Sequence, residues 1–518
     1  MQDLIDDKSK IFSRNTIIYL GVIALVSFLI RLFYFPEGIP ITLDGTLYFW
    51  YANDLSVSGT FPTNVDLANN GWPTFLSVFF YFFNSENFLE YMDLQRYITI
   101  VVSVATIIPV FILCRKFCGN KLSFFGASLF AFQPKIIENS LLGITEPLFI
   151  LLELVCLILF LQNDLKFKYL SFAFLALACL VRYEGILLII PLSILFILQY
   201  RRKKIIFRYS IAISIFLLAL LPMTFVKMDT MGYDGIISHS VVAGQKFGQP
   251  DYTPDFTAYL GVISFIKSVA LAVFPIFFVF LPLGFFAFFR NRNFDKNVVL
   301  LFLIFMLLPI IYAASRDIAE PRYFLTLFPI FALISVYTIK EITRKFSKTK
   351  LISIIFVAVI LLPSIAYLDY NKIDYAYELD AYQIGLEVSK RTSAINDYHP
   401  EVKYVHNKID VATNFESFPI LSSEIKTKVK LLSLTECVSS NLFCYDSLKE
   451  FIGYGKNEGL THIVTDENEN RQQFLRDVFY NEKKFPYLTK IYDSSEQGYD
   501  YHLKIFRIDY KIYYEING

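Results

Sequence analysis

Long apolar blocks alternate with short polar segments along the first 368 residues of the chain. The first block, 16–35, follows Lys8, Lys10 and Arg14 and is too long for a cleaved secretory signal, so we expect a retained helix. Such blocks match an α-helix of about 20 residues, which crosses a hydrocarbon core of roughly 30 Å. The pattern therefore predicts a polytopic α-helical membrane protein. The blocks, about eleven in all, are residues 16–35, 97–113, 122–134, 146–161, 169–181, 185–200, 209–226, 261–289, 297–314, 322–339 and 351–368.

Alternate loops between the blocks carry clusters of Lys and Arg, for example Arg201, Arg202, Lys203 and Lys204. Because Lys and Arg in short loops favour the cytoplasmic side, we expect a cytoplasmic N-terminus in the cell membrane. An odd number of spans then places the C-terminus outside the cell. The segments predicted on that outer side are residues 36–96, 135–145, 182–184, 227–260, 315–321 and the tail 369–518.

Composition excludes several classes of protein. Of the 518 residues, 55% are hydrophobic and only 18% are charged, which is too little polar surface for a cytosolic enzyme of this size. The 48 Lys and Arg residues nearly balance 47 Asp and Glu residues. Without a basic excess, we expect no nucleic-acid partner, and the lipid bilayer is the surrounding phase.

The chain divides into a membrane domain, 1–368, and a tail, 369–518, in which the long apolar runs stop. Short β-like stretches at 402–406, 429–432, 462–464 and 501–508, with a helical pattern at 382–392, predict a soluble α/β domain. Cys437 and Cys444 fall in this tail. We expect a disulfide between them in an oxidising compartment, with two buried thiols as the alternative.

Two predicted hairpins, 122–161 and 169–200, contain spans with barely enough apolar residues to cross a bilayer. Their outer turns are therefore expected at membrane depth. Irregular backbone is tolerated there only where it is buried in protein or lines a watery cavity. We expect a cavity that opens to the outer face.

Three acids on the predicted outer side are candidates for chemistry. Asp44 follows the first helix beside Tyr48, where a partly desolvated carboxylate would be more basic; an Asp-Gly turn is the alternative. For Glu146 two interpretations are open: its side chain faces a substrate, or it only stabilises the start of a helix that follows Thr145. Glu138 is the third and weakest candidate.

Basic residues on the predicted outer side run against the positive-inside trend, and a membrane-embedded anion would account for them. Guanidinium groups suit bidentate contacts to phosphate, and local ion pairs are the alternative. His239 is interpreted as a loop histidine rather than a catalyst. The phosphate candidates are Lys135, Arg182 beside Glu184, Arg316, and Arg322 beside Tyr323.

Motifs for other enzyme classes are absent from the sequence. It contains no G-x-x-x-x-G-K loop, no H-E-x-x-H and no D-x-D. These absences argue against an ATP-driven pump and against a nucleotide-sugar enzyme. No cofactor is indicated, and a divalent metal is left open without a motif of its own.

The organisation and short motifs of residues 10–368 resemble the membrane glycosyltransferases of the GT-C fold, especially the branch of protein O-mannosyltransferases and lipid A aminoarabinose transferases. Asp44 with Tyr48 resembles the acid that serves as catalytic base in that family, although Gly45 stands where a Glu is usual. Glu146, with Glu138 near it, is similar to the acid of the second outer loop. The sequences around Arg182 and Arg322 resemble family features near the lipid phosphate.

The resemblance implies a polyprenyl-phosphate (dolichyl-phosphate) sugar as donor and an acceptor on the outer face: a protein hydroxyl, a lipid-linked glycan or a polysaccharide. The tail is similar to domains of archaeal members of this group. It lacks the Trp-Trp-Asp-Tyr-Gly motif of oligosaccharyltransferases, which favours transfer of a single sugar. A transporter or flippase is the alternative function, and a receptor or scaffold is a third interpretation.

Overall fold

The computed structural model describes residues 13–41, 44–62, 67–85, 87–200, 204–245, 258–316, 321–345, 349–376, 379–380, 382–383, 447–457, 460–467 and 473–517. The chain forms two compact units. The membrane unit comprises Met1–Phe35, Tyr51–Phe82 and Leu94–Lys372. The C-terminal unit comprises Pro36–Trp50, Phe83–Asp93 and Ile373–Gly518, so that two stretches of the predicted first outer loop are grouped with the tail.

Every predicted apolar block is mainly helical where the structure describes it, which confirms the membrane helical class. Two short 3₁₀-helices, Tyr183–Leu188 and Pro321–Leu327, precede α10 and α16. The α-helices up to residue 370 are α1 (Arg14–Phe33), α2 (Asp44–Ser58), α3 (Gly71–Phe82), α4 (Phe88–Ala105), α5 (Ile107–Cys118), α6 (Asn120–Ala131), α7 (Pro134–Ser140), α8 (Glu146–Phe160), α9 (Leu165–Val181), α10 (Ile189–Tyr200), α11 (Ile205–Met231), α12 (Ile237–Gln245), α13 (Ala258–Val273), α14 (Ile276–Phe289), α15 (Phe294–Ser315), α16 (Phe328–Lys345) and α17 (Thr349–Tyr370).

The helices differ in whether they could cross a membrane alone. Among the described residues, six helical stretches are long and apolar enough, or seven if α13 and α14, bent by 105°, count as one span. By contrast, α6, α8 and α9 have only 12, 15 and 17 residues. These three helices form most of the two predicted hairpins, 122–161 and 169–200, whose spans have barely enough apolar residues to cross a bilayer. Their ends therefore lie where backbone polar groups need partners within the protein.

Two buried lysines supply such partners. Lys168 Nζ donates a hydrogen bond of 2.6 Å to the carbonyl of Phe160, the last residue of α8. Lys296 Nζ donates in the same way to the carbonyl of Phe288 near the end of α14. Each lysine lies eight residues beyond its acceptor and also lies over that phenylalanine ring. Positive charge at a helix C-terminus stabilises the exposed carbonyl dipoles.

Arg31 of α1 joins the first helix to the rest of the membrane unit. Its side chain is fully buried. Its Nε donates to Ser140 Oγ at 3.0 Å, and its Nη2 donates to Ser103 Oγ at 3.1 Å. Its Nη1 donates to the carbonyls of Ser27 and Ala131. One guanidinium thus connects α1 with α4, α6 and α7, because its five N–H donors diverge in one plane.

We predict that Arg31→Met lowers the free energy of unfolding by about 2–4 kcal/mol, since several hydrogen bonds to a charged donor are lost at once. The measurement is denaturant unfolding of the purified protein in detergent micelles. Arg14→Met, an exposed position at the start of the same helix, is the control and should change stability little. Equal effects of the two variants would contradict a structural role for Arg31.

The C-terminal unit contains a three-stranded antiparallel sheet in the order β1-β3-β2, formed by β1 (His462–Asp466), β2 (Leu488–Asp493) and β3 (Leu503–Ile508). A buried apolar cluster that includes Phe451, Ile463, Val478 and Phe506 joins the sheet to its helices. Those helices are α18 (Leu448–Asn457), α19 (Gln473–Tyr480) and α20 (Tyr510–Asn517), with short 3₁₀-helices at Glu482–Lys484 and Ser494–Gln497.

The strands predicted at 462–464 and 501–508 are confirmed as β1 and β3. Strand β2 was not predicted, because a bulge between Lys490 and Tyr492 interrupts the alternation of buried and exposed positions. The predicted strands 402–406 and 429–432, nearly all of the predicted helix 382–392, and the predicted Cys437–Cys444 disulfide lie outside the described residues.

Candidate functional site

Glu146 is the first residue of α8 and is only 2% exposed. Thr145 occupies the position before it, as the sequence predicts, but its side chain makes no capping hydrogen bond to the helix. The Thr145 hydroxyl instead lies 3.4 Å from Glu146 Oε2. Ordinary helix-start chemistry therefore does not account for this buried acid, and its partner is found elsewhere in the chain.

That partner is Arg182, in extended backbone directly after α9. Arg182 Nη1 donates to Glu146 Oε1 at 2.5 Å, and Nη2 donates to Glu184 Oε1 at 2.8 Å. The side chains are 11%, 2% and 13% exposed for Arg182, Glu146 and Glu184, respectively. One guanidinium thus bridges two nearly buried carboxylates, an arrangement in which charge-assisted bonds offset part of the cost of desolvation.

Arg322 and Tyr323 belong to the 3₁₀-helix that precedes α16. The guanidinium groups of Arg182 and Arg322 each lie 5.8 Å from the centre of the Tyr323 ring. Cations at this distance from an aromatic ring are attracted by its quadrupole. Tyr323 is therefore a common neighbour of the two arginines.

Glu146, Arg182, Glu184, Arg322 and Tyr323 line one small pocket of the membrane unit. The remaining wall is mostly apolar and comprises Phe149, Met306, Pro309 and Thr326. Glu184 Oε2 is buried and has no hydrogen-bond partner among the described residues. The pocket thus presents two guanidinium groups and a carboxylate oxygen that can accept a further hydrogen bond, a combination suited to a ligand with both an anionic group and hydroxyl groups.

Lys135 and Glu138 form a separate local pair on α7, with 2.8 Å between Nζ and Oε2. The Lys135 ammonium also lies 5.0 Å from the centre of the Tyr367 ring. Burial lowers the pKa of Lys135, but the hydrogen bonds with Glu138 and Tyr367 outweigh burial and leave the pKa raised. Neither residue is among those that line the pocket. The phosphate and acceptor roles expected of them therefore stay predictions.

Arg316 follows α15 and is 8% exposed. Its Nη1 donates to the hydroxyl of Tyr312 at 2.5 Å, and its guanidinium lies over the Tyr312 ring. Asp317 and Glu320, the neighbours that would form local ion pairs in the alternative interpretation, lie outside the described residues. The geometry that is described places Arg316 against α15 and does not include it in the pocket lining.

Asp44 begins helix α2, so the alternative of an Asp-Gly turn is wrong. The expected partial desolvation is not found, because the Asp44 side chain is exposed. Tyr48, one helical turn later, is buried. Both residues belong to the C-terminal unit.

Asp54 is an acid that the sequence did not single out. It lies near the end of α2, within the membrane unit, and burial raises its pKa to about 6. A carboxyl group with a raised pKa can act as a proton acceptor near neutral pH, which makes Asp54 a comparison for Asp44. Its polar neighbours in the sequence gave no sign of burial.

His239 lies in helix α12, so its interpretation as a loop residue is wrong. Its ring is 5.7 Å from the ring centres of both Tyr183 and Tyr233. The helix begins after Asp234, whose carboxylate accepts hydrogen bonds from the backbone N–H groups that follow it. Burial raises the pKa of Asp234, but these hydrogen bonds outweigh burial and leave it lowered. His239 thus packs against two tyrosines, one of which, Tyr183, follows Arg182 in the sequence.

Comparison with solved structures identifies the fold. An apo structure of an oligosaccharyltransferase from Archaeoglobus fulgidus is similar with a TM-score of 0.59 and 13% identity, covering 87% of this chain and 69% of that one. The AglB oligosaccharyltransferase of the same organism, in complex with an inhibitory peptide and a dolichol-phosphate, gives a TM-score of 0.56 and 12% identity over 88% and 69%. ArnT from Cupriavidus metallidurans bound to undecaprenyl phosphate gives 0.49 and 14% over 73% and 70%.

No protein-family model and no curated protein sequence matches the chain. The structural likeness is therefore carried by the arrangement of helices rather than by sequence identity. It confirms the expected fold: the chain is a helical membrane protein with the GT-C fold.

We predict that Arg182→Gln lowers the free energy of unfolding by about 3–5 kcal/mol, because it leaves two buried carboxylates without their cation. The measurement is denaturant unfolding in mixed micelles. Arg344→Gln is the matched control: Arg344 pairs with Glu341 at 3.3 Å, but both side chains are exposed. That variant should cost less than about 1 kcal/mol. A similar cost for both would show that the buried pair contributes no more than a surface pair.

Proposed function

We propose that the chain is an integral membrane glycosyltransferase that moves a single sugar from a polyprenyl-phosphate donor to an acceptor hydroxyl, with inversion at the anomeric carbon. The observation that carries the proposal is the pocket lined by Glu146, Arg182, Glu184, Arg322 and Tyr323 within the membrane unit. The GT-C fold supports it, because similar structures are glycosyltransferases and one of them contains a dolichol-phosphate.

The proposed donor has three parts that match the pocket's chemistry. Its polyprenyl chain is apolar and suits the surrounding membrane helices. Its phosphate is an anion that a guanidinium can bind with two parallel hydrogen bonds. Its sugar carries hydroxyl groups, one of which can donate to the buried Oε2 of Glu184.

The two arginines are proposed to act differently. Arg182 already bridges Glu146 and Glu184, so its main effect is to hold these acids in place. Arg322 is the proposed phosphate ligand. As the bond between the anomeric carbon and the phosphate oxygen breaks, Arg322 would stabilise the negative charge that develops on the leaving phosphate.

Asp44 is the proposed general base. It takes the proton of the acceptor hydroxyl while that oxygen bonds to the anomeric carbon, and the electron pair of the old glycosidic bond leaves with the phosphate. A single displacement inverts the anomeric centre and needs no covalent enzyme intermediate. Lys135, Glu138 and Arg316 are proposed as further donor or acceptor contacts. The proposed orientation places the N-terminus in the cytoplasm and the C-terminal residues outside.

Transfer of one sugar is proposed over transfer of a complete oligosaccharide, because the tail lacks the Trp-Trp-Asp-Tyr-Gly motif. The acceptor class is a protein hydroxyl, a lipid-linked glycan or a polysaccharide. A flippase for lipid-linked sugars is the competing function, since it would also need charged groups near a membrane cavity.

The test is sugar transfer by purified protein in liposomes, with a panel of radiolabelled polyprenyl-phosphate sugars as donors and host membrane extract as acceptor. We expect label in product with the wild-type protein. Asp44→Asn should lower the rate at least about 100-fold, the usual effect of losing a general base. Arg322→Gln should lower it by a similar factor through loss of transition-state stabilisation.

Asp54→Asn is the matched control on the same helix and should keep most of the activity. The assignment of the base is wrong if Asp54→Asn abolishes transfer while Asp44→Asn retains it. If the label crosses the bilayer on unaltered donor and never enters product, the protein is a flippase. If no single-sugar donor delivers label to an acceptor, the single-sugar proposal is rejected.

A further inference from the structure

We infer that residues 69–72, at the start of α3, position the ion pair between Arg182 and Glu146. The inference concerns residues to which the proposed function assigns no role. Its kinetic consequences rest on that function, but its structural consequence does not. The segment contacts the chain on both sides of the ion pair, at the turn that carries Arg182 and at the turn that precedes Glu146.

The first contact is with the turn that carries Arg182. Asn69 Oδ1 accepts a hydrogen bond of 3.2 Å from the backbone N–H of Tyr183, the residue after Arg182. Gly71 packs directly on the backbone of Leu180 and Val181, just before Arg182. A Cβ atom at position 71 would lie 2.5 Å from the carbonyl carbon and oxygen of Leu180. Because the obstructing atoms are backbone atoms, no side-chain rotation can relieve the overlap.

The second contact is with the turn before Glu146. Trp72 is fully buried, and its indole Nε1 donates a hydrogen bond of 3.1 Å to the carbonyl of Gly143. Gly143 has a φ of +72°, a conformation that glycine adopts without strain. Gln95 Nε2 donates to the same carbonyl at 2.6 Å. Two side chains therefore donate to the carbonyl of Gly143, which lies three residues before Glu146.

The segment is itself fixed by a third element. Lys227 of α11 is 1% exposed, and its Nζ donates to the carbonyl of Ala68 at 2.5 Å. Gly235 leaves room for this side chain, since a Cβ there would lie 2.4 Å from Lys227 Cδ. The residue before the segment thus has a fixed position relative to α11.

These contacts explain how two residues 36 positions apart can keep a hydrogen bond of 2.5 Å. Arg182 has a long side chain with considerable rotamer entropy, and its turn is not part of a regular helix. A rigid segment that fixes both turns removes the need for the ion pair to hold them by itself. Residues 69–72 are therefore positioning residues, which act through Arg182 and Glu146 and not on the substrate.

The test uses the full-length protein in detergent and measures how fast phenylglyoxal modifies Arg182, with mass spectrometry as the readout. We expect Gly71→Ala to increase the rate at least threefold, because displacement of the turn exposes the guanidinium. Gly21→Ala is the matched control, since a Cβ at that position meets nothing within 4 Å. The exposed Arg344 is the internal standard and should react equally in every variant.

A milder pair of variants keeps the inference testable if Gly71→Ala fails to fold. Asn69→Ala removes the acceptor for the Tyr183 N–H and should also increase the reaction of Arg182. Asn69→Asp retains an acceptor oxygen and should restore protection. Unchanged modification of Arg182 in both Gly71→Ala and Asn69→Ala would overturn the inference, whatever the protein catalyses.

Sugar-transfer kinetics distinguish a positioning role of residues 69–72 from a general effect on protein stability. In the transfer assay, Gly71→Ala should lower kcat at least tenfold in the wild-type background but should have little further effect in Arg182→Gln. Fully additive losses would show that residues 69–72 act independently of Arg182 and would overturn the positioning role. If the wild-type protein transfers no sugar while Gly71→Ala still exposes Arg182, the proposed function fails and the structural inference stands.

Discussion

The membrane unit depends on the bonds that Arg182 makes to Glu146 and Glu184. Moving one charge out of water costs several kcal/mol, so a buried charge without an opposite charge beside it is strongly disfavoured. The guanidinium satisfies both acids at once, and its planar geometry fixes the angle between them. The start of α8 and the end of α9 are therefore held together by charge as well as by apolar packing.

The helices that carry this ion pair are short. Helices α8 and α9 have 15 and 17 residues, and Lys168 donates to the last carbonyl of α8. Longer elements build the opposite wall of the pocket, because Met306 and Pro309 belong to α15 and Thr326 to the helical stretch Pro321–Arg344. The pocket therefore lies where short helices meet helices that are long and apolar enough to cross a membrane.

The sequence predicted the helical membrane class from its long apolar blocks, and it singled out most of the pocket residues by their charge. Arg182 and Arg322 stood out because the loops that carry them are predicted on the outer side, and Glu146 because it is an acid at the start of a hydrophobic helix. Their pairing could not be predicted, since residues 146 and 182 come together only through the hairpin. Asp54 was missed because its burial depends on packing, which its polar neighbours conceal. Strand β2 was missed because a bulge breaks its period.

The same geometry changes the interpretation of the two arginines, which the sequence treated alike. A guanidinium that already bonds two carboxylates has few N–H donors left for a ligand, and the adjacent negative charges oppose an approaching phosphate. Arg182 is thus suited to hold Glu184 so that its second oxygen stays available to a hydroxyl group. Arg322 shares the Tyr323 ring with Arg182 and supplies the other cation of the pocket. In the proposed function, Glu184 would therefore recognise the sugar and Arg322 its phosphate, and both side chains line the same pocket.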